Sequence, residues 1–192
     1  MKIGVLALQG AFIEHEQALQ RIGVEAREVR LPEHLEGLDG LIIPGGESTT
    51  IGKLAVQYGL MEPIRAMAAE GKLLWGTCAG MIFMAKDVGR DQPLLGLMDV
   101  TVQRNAFGRQ VDSFETDLDV PAILTPENKR PFHAIFIRAP LIESVGAGVD
   151  VLAALSDGAI VAARQGRLLA TSFHPELAYD DRFHRYFVSL AV

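Results

Sequence analysis

Residues 3–8 form an unbroken apolar run that stops at Gln9-Gly10, the pattern of a strand covered on both faces. Over residues 11–22, Phe12, Leu19 and Ile22 share one face while Glu14, Glu16, Gln17 and Arg21 fall largely elsewhere. That periodicity predicts an amphipathic helix, closed by Gly23. Residues 24–29 then read as a strand, Leu31-Pro32-Glu33 turns the chain, and residues 40–43 make a third short strand. Helical patterns follow through Leu54 and over residues 61–70, and residues 72–75 form a strand leading into a helical run at 81–85. Solidly apolar strands alternating with helices predict a parallel sheet covered on both faces. In such sheets the loops leaving the strands' C-terminal ends build the site.

After Lys86 the rhythm changes. Residues 95–102, 133–138, 151–155, 159–163 and 168–173 read as shorter strands, with hairpin signals at Asp157-Gly158 and Gln165-Gly166. A last helix over residues 180–190 carries Phe183, Tyr186, Phe187 and Leu190 at core spacing, and residues 121–131 are a proline-rich loop. The expectation is an α/β fold: a mostly parallel central sheet flanked by helices, with antiparallel strands added in the C-terminal half. No repeat or linker divides the chain, and residues 1–192 are expected to form a single domain.

Composition narrows the function. Hydrophobic residues make up 49%, enough for a sizeable core. Lys plus Arg is 18 against 24 Asp plus Glu, a net charge of −6, and no basic stripe suggests nucleic acid as a partner. With one cysteine there is no internal disulfide. The N-terminal apolar run is short, and nothing approaches the ~20 apolar residues of a membrane span, so a cytoplasmic protein without membrane contact is expected.

That cysteine sits in Leu73-Leu74-Trp75-Gly76-Thr77-Cys78-Ala79-Gly80-Met81, where strand, sharp turn and helix make a nucleophile elbow written Gly-x-Cys-x-Gly. A lone cysteine is ordinarily a buried, inert side chain. Glycines two residues away on both sides favour the other reading, because they let strand and helix close around a strained nucleophile.

A cysteine nucleophile needs a base, and the base an orienting group. His174 ends the run 168–173 and would leave the sheet as Cys78 does. Pro175 stiffens the turn, and Glu176 can reach back to one ring nitrogen. The other histidines carry less. His15 lies between Glu14 and Glu16 and reads as surface or helix packing, His34 belongs to a polar turn, and His184 to the last helix. His133 begins a strand with no carboxylate partner in view. No HExxH or paired Cys/His spacing is present, so no metal is expected, and no cofactor either. Gly45-Gly46-Glu47-Ser48 offers backbone N–H groups. Gly46 and Ala79 could together form an oxyanion hole. A phosphate cradle lacks its lysine, and a plain turn would leave Ser48 or Thr49 to cap the next helix.

Gly76-Thr77-Cys78-Ala79-Gly80 with the distant His174-Pro175-Glu176 resembles the class I, triad-type glutamine amidotransferases, whose sheet is flavodoxin-like. Further blocks narrow the resemblance to the glutaminase subunits of pyridoxal 5'-phosphate synthase. These are Leu8-Gln9-Gly10-Ala11, Pro44-Gly45-Gly46-Glu47-Ser48-Thr49-Thr50, Arg104-Asn105-Ala106-Phe107-Gly108-Arg109-Gln110, Phe136-Ile137-Arg138-Ala139-Pro140 and Ser172-Phe173-His174-Pro175-Glu176-Leu177. They span nearly the whole chain. The resemblance implies Cys78 as nucleophile of a glutamyl thioester, His174 as base and then acid, and Glu176 as its orienter. It implies Gly46, Glu47, Ser48, Arg104, Ile137 and Arg138 as the L-glutamine pocket; an arginine suits the α-carboxylate, since its fork makes paired charge-assisted bonds. It also implies a partner, a TIM-barrel synthase subunit in a large hetero-oligomeric complex that receives the ammonia. Docking would set the peptide near Gly45-Gly46 and raise the glutaminase activity. The rivals are a glutaminase subunit of another pathway, a cysteine-elbow hydrolase or stress protein of similar fold, and a binding module in which Cys78 is structural.

Overall fold

A computed structural model describes residues 1–106 and 113–191. In chain order its elements are β1 (Lys2–Leu6), α1 (Phe12–Arg21), β2 (Glu25–Val29), β3 (Gly40–Ile43), α2 (Ser48–Gln57), α3 (Met61–Ala69), β4 (Leu73–Thr77) and α4 (Ala79–Met84). There follow β5 (Ala85–Asp87), β6 (Met98–Gln103), β7 (Ser113–Leu118), β8 (Phe132–Ile137), β9 (Leu141–Val145), β10 (Asp150–Ala154), β11 (Ile160–Gln165), β12 (Leu168–Thr171) and α5 (Arg182–Ser189). Within the motif block at residues 104–110, Phe107, Gly108, Arg109 and Gln110 lie outside the described residues.

The main sheet runs β2-β1-β3-β4-β12-β11-β9-β6-β5, with β10 paired to β11. From β2 to β12 every pairing is parallel. Beyond β12 the pairings with β11, β10, β9 and β6 are antiparallel, as the hairpin signals predict, and β5 returns parallel to β6. Alternation along β3 divides the core. Leu41 and Ile43 face a cluster with Ile51 of α2, Ile64 of α3 and Phe83 of α4. Ile42 faces the opposite cluster, with Leu19 of α1, Trp75, and Phe183 and Phe187 of α5. Both faces are covered, which is why these strands read as continuous apolar runs.

The structure departs from the sequence expectation in the C-terminal half. Residues 133–138 do form a strand, β8, but it pairs with β7 in a separate two-stranded sheet instead of joining the main one. The partner strand β7 reads Ser-Phe-Glu-Thr-Asp-Leu and is exposed at alternate positions, so it lacks an apolar run. The short strands β5 and β9 are likewise absent from the sequence expectation, and the strand expected over residues 95–102 starts only at Met98.

Candidate active site

Strand β4 ends at Thr77, and Cys78 follows with φ 49° and ψ −105° before α4 begins. Backbone strain of this kind costs about 1–3 kcal/mol and persists only where the surroundings fix it. Here Cys78 N–H donates to the Thr171 carbonyl at 2.8 Å, and Ile82 N–H donates to the Cys78 carbonyl at 3.2 Å. Close approach explains both elbow glycines. A Cβ on Gly76 would lie 2.5 Å from the Gly80 carbonyl oxygen, and one on Gly80 would overlap the Ile43 carbonyl oxygen.

Because β12 runs beside β4 and parallel to it, both chains leave the sheet at the same edge. This brings His174 to Cys78. His174 N–H donates to the Ile135 carbonyl at 2.9 Å, and Pro175 opens a 3-10 turn, Pro175–Leu177, that swings Glu176 back. A carboxylate only accepts, so the 2.7 Å contact from His174 Nδ1 to Glu176 Oε1 places the ring proton on Nδ1. Nε2 is then the nitrogen available to the Cys78 side chain. Burial opposes a charge on His174, but the neighbouring Cys78 and Glu176 outweigh it and raise its pKa to about 10. Burial likewise opposes ionisation of Glu176; the neighbouring His15 ring and the His174 bond overcome this and hold the carboxyl below its ordinary value.

The loop after β3 forms the opposite wall. The Gly45 carbonyl accepts Ala11 N–H at 3.1 Å, so the Gly46 N–H of the same planar trans peptide points away from that bond. Glu47, not Ser48 or Thr49, caps α2: its carboxylate accepts Thr49 N–H at 3.1 Å and Thr50 N–H at 2.7 Å. A carboxylate outcompetes a hydroxyl at a helix N-terminus because it also meets the positive end of the helix dipole. Partial burial works against the charge, yet these bonds lower the Glu47 pKa to about 2. The same carboxylate lies 3.3 Å from Arg104 Nη2, and Arg104 Nη1 donates to Gln92 Oε1 at 2.7 Å.

Cys78, Ala79, His174, Gly46, Glu47, Ser48, Arg104, Ile137 and Arg138 all line one cleft of about 480 Å³. Glu176 stands behind His174, buried. The Ile137 carbonyl lies 3.8 Å from Cys78 Sγ, and Arg138 takes a left-handed backbone with φ 46°. Every residue that the resemblance implies for the triad and the glutamine pocket is therefore in or directly behind one cleft. Gln9, Ile82 and Asn105 complete the lining. Gln9 Oε1 accepts Glu47 N–H at 2.7 Å, a role foreshadowed by its place at the exit of β1.

Of the two readings of His15, surface or helix packing, the structure takes the second: it is fully buried, as is His184 of α5, and both lie behind Glu176. His15 shares a helical face with Leu19 and Ile22, spaced i, i+4 and i+7, and that period was the available signal. His133 does meet carboxylates, Asp117 at 2.8 Å and Glu115 at 2.9 Å, because both sit across the pairing on β7. Among the described residues no group of His, Cys, Asp and Glu could hold a metal ion.

A solved structure of PurLQS from Thermotoga maritima shares the α/β fold at 17% identity, with TM-score 0.67 over 98% of this chain and 97% of that one. A model of the SNO glutamine amidotransferase family matches residues 5–192, and the chain belongs to that family. A protein of Herpetosiphon aurantiacus named pyridoxal 5'-phosphate synthase subunit PdxT is 62% identical over 99% of this chain and 100% of its own length. The protein of the same name from Moorella thermoacetica is 57% identical over 99% of both chains. A crystal structure of a glutamine amidotransferase superimposes with TM-score 0.90 at 56% identity, covering 98% of each chain.

Proposed function

We propose that this chain is the glutaminase subunit of a pyridoxal 5'-phosphate synthase, hydrolysing L-glutamine to L-glutamate and ammonia for a partner synthase subunit. The relatives' shared name and full-length match support the pathway. The chemistry rests on one observation: a strained cysteine faces a histidine whose far nitrogen is held at 2.7 Å by a buried carboxylate. Cys78 Sγ attacks the side-chain carboxamide carbon, and the oxyanion is met by the N–H groups of Gly46 and Ala79, the latter free in the first turn of α4. His174 gives its Nε2 proton to the leaving nitrogen, which departs as ammonia. The neutral ring then takes a proton from water, whose oxygen attacks the thioester carbon. The C–S bond breaks, and glutamate leaves with both carboxylates.

Arg104 beside Glu47 offers a cation and an anion to the two charges of an amino-acid backbone. Ser48, Ile137 and Arg138 close the pocket around them. Residues 1–192 act as one glutaminase domain in the cytoplasm, docked on a TIM-barrel synthase subunit within a large hetero-oligomer; among the described residues no helix is long and apolar enough to cross a membrane.

Glutamate release from glutamine, measured with and without the purified synthase subunit for the natural chain and Cys78→Ala, tests this. Activity that rises with the partner and vanishes in the variant is expected. A folded chain that stays inactive with that partner would overturn the assignment.

A further inference from the structure

Behind the cleft, Glu176 meets a second pair of imidazoles. His15 Nε2 lies 3.3 Å from Glu176 Oε2 and 3.2 Å from the hydroxyl of Thr77, the elbow residue between Gly76 and Cys78. His15 Nδ1 in turn lies 3.0 Å from His184 Nε2. Both rings are wholly buried, and Trp75 packs edge-on to each, with ring centroids 5.6 Å and 4.9 Å away. Burial favours the neutral form of both.

The proton positions follow from the far end. His184 Nδ1 is buried and has no hydrogen-bond partner among the described residues. A neutral imidazole carries one N–H, and that proton is useful only on Nε2, where it donates to His15 Nδ1. His15 Nδ1 is thereby an acceptor, so the His15 proton sits on Nε2, directed at Thr77 Oγ1 with Glu176 Oε2 alongside. Oε2 has no well-aligned hydrogen bond among the described residues, and His15 Nε2 approaches it at 3.3 Å. A carboxylate buried this deeply, with one oxygen uncommitted, could rotate away from His174.

We propose that His15, held in one tautomer by His184, is a positioning residue that fixes the Glu176 carboxylate with Oε1 facing His174. It touches neither substrate nor sulfur; it acts through Glu176 on the imidazolium beside Cys78. The proposal deepens the glutaminase reading and rests on it for the reaction concerned.

The test does not need glutamine. Cys78 is the chain's single cysteine, so alkylation by iodoacetamide reports on the sulfur beside His174 alone. In His15→Leu the alkylation rate at pH 7 is expected to fall about 5- to 20-fold, and kcat with glutamine by a similar factor with KM within about 2-fold. His15→Gln, whose amide can place an N–H near the Nε2 position, should recover most of that loss. In a Glu176→Gln background His15→Leu should cost less than about 2-fold more, because coupled positions are not additive. A merely structural role would lower Tm and yield, but leave the per-molecule alkylation rate untouched and the losses additive. If His15→Leu does not fold, His184→Leu serves instead, since it frees the His15 tautomer and should slow alkylation in the same sense. Natural alkylation rates in these variants, or full additivity with Glu176→Gln, would overturn the proposal. Failure of the glutaminase reading would look different: the natural chain would release no glutamate with its partner, while the alkylation comparison still decides the role of His15.

Discussion

Gly45 packs directly against the imidazole of His174. A Cβ there would overlap His174 Cε1, lie 3.0 Å from its Nδ1 and 3.3 Å from Cys78 Cβ. The backbone at Gly45 is not in the left-handed region, so alanine can adopt its φ, and the chief obstacle is the ring. Gly45→Ala is expected to fold, with Tm lowered by only a few degrees. Its kcat should fall roughly 10²-fold, since a misplacement of about 1 Å in a reacting group has that effect. Glutamate release beside a thermal melt separates the two. A variant with natural kcat would mean that His174 can turn aside at no cost.

The opposite glycine behaves differently. At Gly80 the obstacle is the Ile43 carbonyl, backbone on a central strand that cannot swing away. Gly80→Ala is therefore expected to destabilise the whole domain, by roughly 2–4 kcal/mol, the range of severe packing defects. Urea unfolding followed by Trp75 fluorescence reads this, and a midpoint equal to that of the natural chain would refute the close approach.

What could be read from the sequence divides along the range of the interactions involved. The elbow was legible because its requirements are local: an apolar run, two glycines and a helical pattern within nine residues. The His174-Pro175-Glu176 turn was legible for the same reason. The neighbourhood of β4 and β12 was not, because parallel pairing joins segments more than ninety residues apart and leaves no mark in either. The carboxylates of His133 leave no mark in the sequence around it, because they lie on β7, whose polar alternation hides it as a strand. At His15 the flanking Glu14 and Glu16 point to the surface while the helical period points inward, and the period prevails. The cap of α2 went to Glu47 because a charge at the helix end outweighed the ordinary preference for a hydroxyl.

That cap gives a pH signature. Glu47 has its pKa lowered from 4.5 to about 2 in the folded chain, so its contribution is fully present above 4.5 and is lost as pH falls through about 2. Glu47→Gln should be less stable than the natural chain by about 1 kcal/mol near pH 7, the usual worth of an N-cap, discounted toward half of that for its exposure. The difference should shrink between about pH 5 and pH 2. Denaturation midpoints for both chains across this window check it; a difference constant with pH would mean that the carboxylate charge plays no part.

His174 predicts the opposite trend at the alkaline end. Its folded pKa, about 10, stands above the ordinary 6.5, so protonation stabilises the fold fully below 6.5 and that contribution disappears as pH rises through about 10. Cys78→Ala removes one of the two neighbouring groups responsible. Its stability should therefore decline less between pH 7 and 10 than that of the natural chain. Parallel unfolding curves over this range would contradict a charged His174.

Arg104 supplies the last expectation, concerning binding rather than chemistry. Its two terminal nitrogens are already committed, one to Gln92 at 2.7 Å and one facing Glu47 at 3.3 Å, and this fork holds the guanidinium plane at the cleft wall. A lysine carries a comparable charge but cannot keep both partners and still meet a carboxylate in a paired geometry. If Arg104 receives the α-carboxylate of glutamine, that contact is the same in ground and transition states. Arg104→Lys should then raise KM by about 10- to 50-fold and leave kcat within about 3-fold. Gln92→Leu, which frees one arm of the fork without removing the charge, should raise KM in the same direction but less. Steady-state kinetics on the two variants distinguish this from the alternative, since a loss confined to kcat would place Arg104 on the reacting carboxamide rather than on the amino-acid backbone.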